Sequence, residues 1–537
     1  MTSQASPWSP FRHPAFAVIW TATVVSNIGS WMYSAASAWL MTTLDSDPRT
    51  VALVQVASSL PIFLFAIPAG AIADIVDKRR FLLACEIVIT AVSFVFAGLV
   101  ALDLVTPAVL LAFAFVLGVG GAVTAPPYQS IVPLLVPRTD LTQAVAANSV
   151  GVNISRAIGP AAGGVITAVA GIAAPFWINA ASNLASVGAL AWWQAPQARG
   201  RQLPAERFFG AIRTGIRYAR NNPHLRATIV RAIAFFLFAS AYWALLPLVA
   251  RNQVAGGADL YGVLVGTIGV GAVCGAFLLP WLRSTLHADG VVAAGSAGTA
   301  IALILFAIAA HPAVAIAACF LAGIAWIAVL SGLNVSAQVA LPEWVRSRGL
   351  AVYVTAFFGA MSFGSYFWGY VASATSLPVA HWLAAAGALA AIPLTWGWKL
   401  QTGAAMNFAP SAHWPAPVLS GEIADDAGPV LVTVEYHVPA EHRDLFLVDI
   451  RRIEHERRRD GAYSWAVFED VAVAGRFIET FHVESWLEHL RQHERVTETD
   501  REVEMRVRKY VTEEPRITHM IAAESHRPAA VDPLAPR

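Results

Sequence analysis

The chain has 537 residues, 57% of them hydrophobic and only 13% charged, where soluble domains carry about 25% charge. A net charge of +1 offers no electrostatic footprint for a nucleic acid. Three cysteines, Cys85, Cys274 and Cys319, lie in separate apolar segments and form no disulfide or metal-binding spacing, so they are expected to be small buried hydrophobes.

Met1 to Pro14 is polar and carries no short apolar region ending in a cleavage site, so the first apolar run is expected to remain as a membrane span. Runs of the roughly 20 apolar residues a bilayer requires lie at about 16–43, 51–74, 81–101, 106–126, 143–170, 173–193, 227–250, 260–282, 290–310, 312–338, 349–373 and 378–398. That makes about twelve spans. The fifth is diluted by Asn148, Asn153 and Arg156. With residue 1 in the cytoplasm, the inner loops hold Lys78, Arg79, Arg80, Arg138, the run from Arg199 to Arg226, Arg283, Arg346, Arg348 and Lys399, and the outer loops only Arg49 and Arg251. This asymmetry obeys the positive-inside rule and predicts an even number of spans with both termini cytoplasmic.

The stretch Gly70-Ala-Ile-Ala-Asp74-Ile-Val-Asp77-Lys78-Arg79-Arg80 joins the second and third spans. Glycine permits a tight connection, and the basic cluster resists translocation. These residues resemble the signature loop between helices 2 and 3 of the major facilitator superfamily, with Asp77 where that pattern usually has glycine. Residues 194–226 divide the spans into two halves of six, 1–193 and 227–400. Within this connection, Glu206 to Arg220 puts Phe209, Ile212, Ile216 and Tyr218 near one face and arginines on another, predicting an amphipathic helix along the inner membrane surface. Pro133, Val136 and Leu141 align with Pro342, Val345 and Leu350 at one constant offset, and Gly70 is echoed by Gly275 before Arg283. Parallel repeats of this kind place a substrate site at the midplane between halves.

In the fifth span, Gly159-Pro160-Ala161-Ala162-Gly163-Gly164 resembles the antiporter motif of drug-exporting facilitators; Ser155 stands in place of its preceding glycine and Arg156 follows. Plain helix packing by small residues is the competing explanation. Arg156 is a counter-charge for an anionic substrate, a partner in a gating salt bridge, or a snorkelling residue, and Arg231 is expected to snorkel. Glu86 is the clear intramembrane acid, a candidate for proton exchange or for pairing with Lys78–Arg80. Asn27 and Trp31 share one helix face, as do Asn334 and Gln338, and such stripes line cavities or pack helices. Phe357, Phe358, Tyr366, Phe367 and Trp368 add aromatic surface suited to a bulky amphipathic solute.

After Lys399 the composition changes. Residues 401–429 are rich in Pro, Ala and Gly and are expected to be a linker. Residues 430–520 alternate as βαββαβ, with strands at Val430–His437, Ala462–Asp470, Arg476–Glu484 and Arg506–Thr512 and helices at Pro439–Asp460 and Ser485–Arg501, the order of a ferredoxin-like domain. Residues 521–537 are expected to be disordered. The strand pair resembles the antibiotic-biosynthesis-monooxygenase-like dimeric α/β barrels, which implies dimerisation through the tail. His489 and His493 have metal-compatible spacing, but without an evident third ligand the expectation is a solvated face and no metal. Arg451, Arg452, Arg457, Arg458 and Arg459, interspersed with Glu454 and Glu456, predict an exposed salt-bridged helix. The tail shows no catalytic constellation, so a regulatory, dimerising or membrane-surface role is expected.

The fold class is therefore an all-α polytopic membrane protein of two six-helix halves plus a small α+β ferredoxin-like domain. As a whole the chain resembles the transmembrane secretion effectors among the facilitators. That resemblance implies export of a small molecule, normally coupled to proton entry, and a gating role for Asp74 with Lys78, Arg79 and Arg80. Partners are the bilayer and a small-molecule substrate, with no cofactor, no metal and no catalytic residue. A nutrient importer of the same fold and a membrane-anchored enzyme using the tail are the rival readings.

Overall fold

A computed structural model describes residues 6, 8–194, 208–342, 344–401, 411, 414, 421 and 423–523. It divides into two compact units, one of 1–212, 227–338 and 350–401, the other of 213–226, 339–349 and 402–537.

The first unit is helical. Its N-terminal half comprises α1 (Pro14–Leu44), α2 (Pro48–Ile75), α3 (Lys78–Ala101), α4 (Pro107–Leu135), α5 (Leu141–Ala170) and α6 (Ala174–Trp192). After α7 (Phe208–Asn221), its C-terminal half comprises α8 (Pro223–Leu248), α9 (Ala258–Thr285), α10 (Ala288–Ala307), α11 (Pro312–Val339), α12 (Arg346–Ala374) and α13 (Leu377–Leu394). Proline opens α2, α4 and α13 at their first turn, where a missing N–H costs no hydrogen bond. Asp77 caps α3 by accepting from the Arg80 amide at 2.8 Å, which accounts for an acid at that position.

Among the described residues, ten helices are long and apolar enough to cross a membrane. α5 and α6 have the length but not the apolarity. In α5 the dilution comes from Asn148, Asn153 and Arg156, as expected. In α6 it comes from Asn179, Asn183 and Ser186, which are buried rather than lipid-facing. Cys319 is buried as expected, whereas Cys85 is half-buried and Cys274 is exposed.

The halves meet along α5–α9 and α2–α12. Facing α9, α5 presents Ala157, Ala161 and Gly164 to Gly269, Gly266 and Gly262. Here backbone approaches backbone, the geometry small residues allow between membrane helices. Across α2–α12, Ser59 and Ser362 hydroxyls lie 2.7 Å apart.

The second unit contains a four-stranded antiparallel sheet of β1 (Val430–His437), β2 (Ser464–Glu469), β3 (Arg476–Val483) and β4 (Arg516–Ile521), ordered β2-β3-β1-β4. This is the ferredoxin-like arrangement expected. Val430, Val432, Val434 and Tyr436 alternate inward on β1 and pack with Phe446, Ile450 and Ile453 of α14 (Arg443–Asp460). The last strand differs from expectation. Arg506–Thr512 is not a strand, because α15 (Trp486–Arg495) is followed by a second helix, α16 (Glu498–Arg508), started by a capping box of Thr497 and Asp500.

α14 is also not wholly exposed. Arg458 pairs with Glu454 at 2.9 Å as expected, but Arg457 is buried and bonds Glu479 at 3.0 Å and Glu504 at 2.9 Å. The α7 residues of this unit are not simply a membrane-surface face. Tyr218 is buried edge-on to Trp344 at 5.7 Å, with the Arg459 guanidinium 5.7 Å from its ring. Arg217 pairs with Glu488 at 2.9 Å, and Arg213 pairs with Glu484. The expected side-chain positions of Phe209 and Ile212 lie outside the described residues.

Candidate functional site

A cavity of about 530 Å³ opens inside the N-terminal half, lined by residues of α1 to α6. Its wall combines Trp20, Tyr33 and Tyr128 with hydroxyls and amides, and it holds one buried carboxylate, Glu86. Tyr128, Glu86 and Ser186 all line this space. Nearby, Ser26 donates to the Asn183 carbonyl oxygen at 2.9 Å, and the Asn183 amide lies 3.4 Å from Ser93 Oγ. Of the polar residues that dilute α6, Asn183 is thus held by Ser26 and Ser93, whereas the side-chain oxygen of Asn179 is buried without a hydrogen-bond partner.

This cavity is not shared by the two halves as expected, since every lining residue belongs to the N-terminal half. In the C-terminal half, aromatic rings of α8, α11 and α12 pack against one another. Phe236 lies 3.9 Å from Phe357 and 5.2 Å from Trp326, ring centroid to centroid. Trp368 is buried and donates to the Leu237 carbonyl at 2.8 Å, while Tyr366 and Phe367 are exposed.

Of the residues singled out from the sequence, Asn27 and Glu86 line the cavity, and Asn334 lies on α11 outside it. No ion pair among the described residues joins Glu86 to Lys78–Arg80. Arg79 instead donates to the Leu190 and Ala191 carbonyls at 2.9 and 2.6 Å, stapling α3 to the C-terminal end of α6, where backbone dipoles favour a cation. Lys78 begins α3, Arg80 is exposed, and a Cβ on Gly70 would meet nothing within 4 Å. The side chain of Asp74 lies outside the described residues.

The antiporter-like motif divides between two neighbours. A Cβ on Gly159 would lie 2.5 Å from Trp31 Cβ, and one on Gly163 would lie 3.1 Å from Met32 Cα, both on α1. Gly164 faces Gly262 on α9. Pro160 is buried beside them. Arg156 stands halfway along α5, about 22 Å from its start, too far for snorkelling to that end. Its guanidinium lies 5.4 Å from the ring centre of Trp31, a cation–π contact that holds a cation beside the half–half seam.

Arg231 does not snorkel. It is buried and pairs with Asp289 at 3.1 Å, and Asp289 also accepts from the Leu400 amide at 3.0 Å. Sequence reasoning missed Asp289 because its partner lies on another helix. Removing the acid leaves a buried guanidinium uncompensated. We expect Asp289→Asn to lower stability by about 2 kcal/mol, discounted for partial exposure of the carboxylate. Thermal unfolding in detergent should show a lowered midpoint, with Asp289→Glu recovering most of the loss.

In the tail, the expected solvated histidine face is overturned. His489 is 1% exposed, and His493 and His519 are half-buried beside it. Burial, ahead of the neighbouring imidazoles and Arg457, holds His489 down to about 3 and His493 down to about 4.

Residues 5–527 match the family described as transmembrane secretion effector. The chain is 25% identical over 261 residues to the staphyloferrin A transporter of Staphylococcus aureus, covering 47% of this chain and 64% of that one. It is 22% identical over 243 residues to macrolide efflux protein A of Streptococcus pyogenes, covering 45% and 60%. The chain thus spans somewhat under two thirds of the length of these relatives. Against enterobactin exporter EntS of Salmonella choleraesuis, identity is 25% over 327 residues, covering 60% and 76%. Among solved structures, the nucleoside transporter NupG superposes with a TM-score of 0.59 at 12% identity, covering 71% of this chain and 98% of that one. A bacterial homologue of the human lysosomal transporter Spinster gives 0.54 at 16%, covering 72% and 95%. At these identities the likeness is one of fold. With residues 5–527 matching its model, the chain belongs to the transmembrane secretion effector family of the major facilitator superfamily.

Proposed function

We propose that this protein exports a small amphipathic molecule, a siderophore or a drug, from the cytoplasm by alternating access coupled to proton entry. The observation that carries the reading is Glu86, a buried carboxylate in a cavity walled by hydroxyls, amides and aromatic rings. Amphipathic solutes fit such a wall, and a carboxylate inside a membrane domain can carry a proton across the cycle. Relatives named for staphyloferrin A, enterobactin and macrolides favour export of this solute class. In this reading α5 and α6 also cross the bilayer, giving twelve spans with both termini cytoplasmic. Gating falls to the Asp74 loop. The tail is regulatory or dimerising.

The test is uptake into everted membrane vesicles energised by a proton gradient, using labelled enterobactin, staphyloferrin A and a macrolide. Gradient-driven uptake of at least one is expected. Glu86→Gln should lower that uptake at least about tenfold while leaving solute-for-solute exchange intact. Accumulation confined to right-side-out vesicles would instead establish import. Wild-type gradient-driven flux in Glu86→Gln would remove the proton role of Glu86.

A further inference from the structure

We propose that the tail carries a site for a divalent first-row transition metal, formed by His489, His493 and His519, with one coordination position open to the adjoining cavity. This goes beyond the transport reading and does not rest on it. α15 presents His489 and His493 one turn apart, and β4 brings His519 to the same place, so that ligand-capable atoms of all three lie within 4.8 Å of one another.

The spacing of the ring nitrogens fits a metal site as well as it fits a hydrogen bond between the rings. The Nε2 atoms of His489 and His493 are 3.3 Å apart. Two nitrogens bound at about 2.0–2.1 Å in a tetrahedral site would be about 3.3–3.4 Å apart. Nδ1 of His489 lies 3.2 Å from Gln492 Oε1, and both residues are buried. Donation of Nδ1–H to that oxygen fixes the tautomer with the Nε2 lone pair facing His493, the supporting bond that metal-binding histidines characteristically make. His519 stands farther off, but it belongs to β4, an edge strand paired only with β1, where a side chain can close the gap by rotation.

The donor set selects the class of ion. Three imidazoles suit Zn²⁺, Co²⁺, Ni²⁺ or Cu²⁺ and disfavour Mg²⁺ and Ca²⁺, which want oxygen ligands. Positive charge nearby does not forbid a cation, because Arg457 is neutralised by Glu479 and Glu504, leaving Arg508 and Arg516 as the other cations lining the space. Beside the histidines lies a cavity of about 450 Å³ bordered by Trp414 and Tyr436. Three protein ligands with a fourth position facing open space is the arrangement of metal sites that exchange a water or solute ligand.

The experiment uses the tag-free full chain in detergent, stripped with chelator and titrated with Co²⁺. One Co²⁺ per chain is expected, with the visible absorption of a four-coordinate ion, and Zn²⁺ should displace it. His493→Ala and His519→Gln should each weaken binding at least about tenfold, while His455→Ala, on the exposed side of α14, should bind as wild type. His519→Gln is the deciding variant, because an edge-strand residue can change without unfolding the sheet, which circular dichroism checks. Absence of stoichiometric binding by the wild type, or unchanged affinity in a folded His519→Gln chain, would overturn the site.

Discussion

Gly164→Val should reduce transport at least about tenfold without preventing membrane insertion. A Cβ at this position would lie 2.6 Å from the Ala258 carbonyl oxygen and 2.7 Å from Gly262 Cα. Both obstacles are backbone, so no side chain can rotate away, and α5 and α9 must separate. Overpacking costs about 1–3 kcal/mol where relaxation is available, and here relaxation means moving one half of the transporter against the other. Gly262→Val should act alike, since its Cβ would strike Gly164 Cα at 2.7 Å and the Pro160 carbonyl at 2.8 Å. Gly188→Val is the control, because nothing lies within 4 Å of its Cβ position. Comparing solute flux at matched membrane abundance checks the prediction. Normal flux in Gly164→Val would mean that the seam tolerates separation.

Arg457→Ala should destabilise the tail by about 3–5 kcal/mol, the cost of breaking a buried ion pair from one side. Glu479 is fully buried and accepts from Tyr436 at 2.8 Å, Trp465 at 2.9 Å and Arg457 at 3.0 Å. Glu504 accepts from Arg457 and from Trp414 Nε1 at 3.0 Å. Without the guanidinium, two carboxylates share a buried space. Arg457→Lys should recover only part of the loss, because an ammonium lacks the fork that reaches both acids. Combining Arg457→Ala with Glu479→Gln and Glu504→Gln should recover more, since the uncompensated charges disappear. Hydrogen exchange at β1 and β3 amides in the full chain reads this directly. Unchanged exchange in Arg457→Ala would show that the pair contributes little.

The helical unit was legible because twenty-residue apolar runs and loop charges are local signals. The family resemblance stood on residues that are themselves local, from Gly70 to Arg80. What escaped were partnerships across the fold. Asp289 looks like a loop acid until α8 brings Arg231 to it. Glu86 lies about two helical turns beyond Lys78–Arg80, close enough in sequence to suggest pairing, but the fold places it in the wall of the cavity beside Tyr128 of α4. In the tail, Val503 and Val507 sit four apart, a helical spacing, yet the β-rich end of Arg506–Thr512 suggested a strand. His519 lay beyond that misplaced strand, which hid the third imidazole from a reading of His489 and His493 alone.

The second unit gathers pieces made at very different moments of synthesis. Tyr218 and Trp344 leave the ribosome well before Arg459 and Arg495, whose guanidiniums lie 5.7 Å from the Tyr218 ring and 4.5 Å from the Trp344 ring. Domains ordinarily fold in the order in which they emerge. Here α7 and the 339–349 segment must wait, their aromatic faces bare, until the sheet and its helices are complete. Covering those two rings therefore waits on the synthesis of α14 and α15, and chains cut short before α14 should expose both rings to proteolysis.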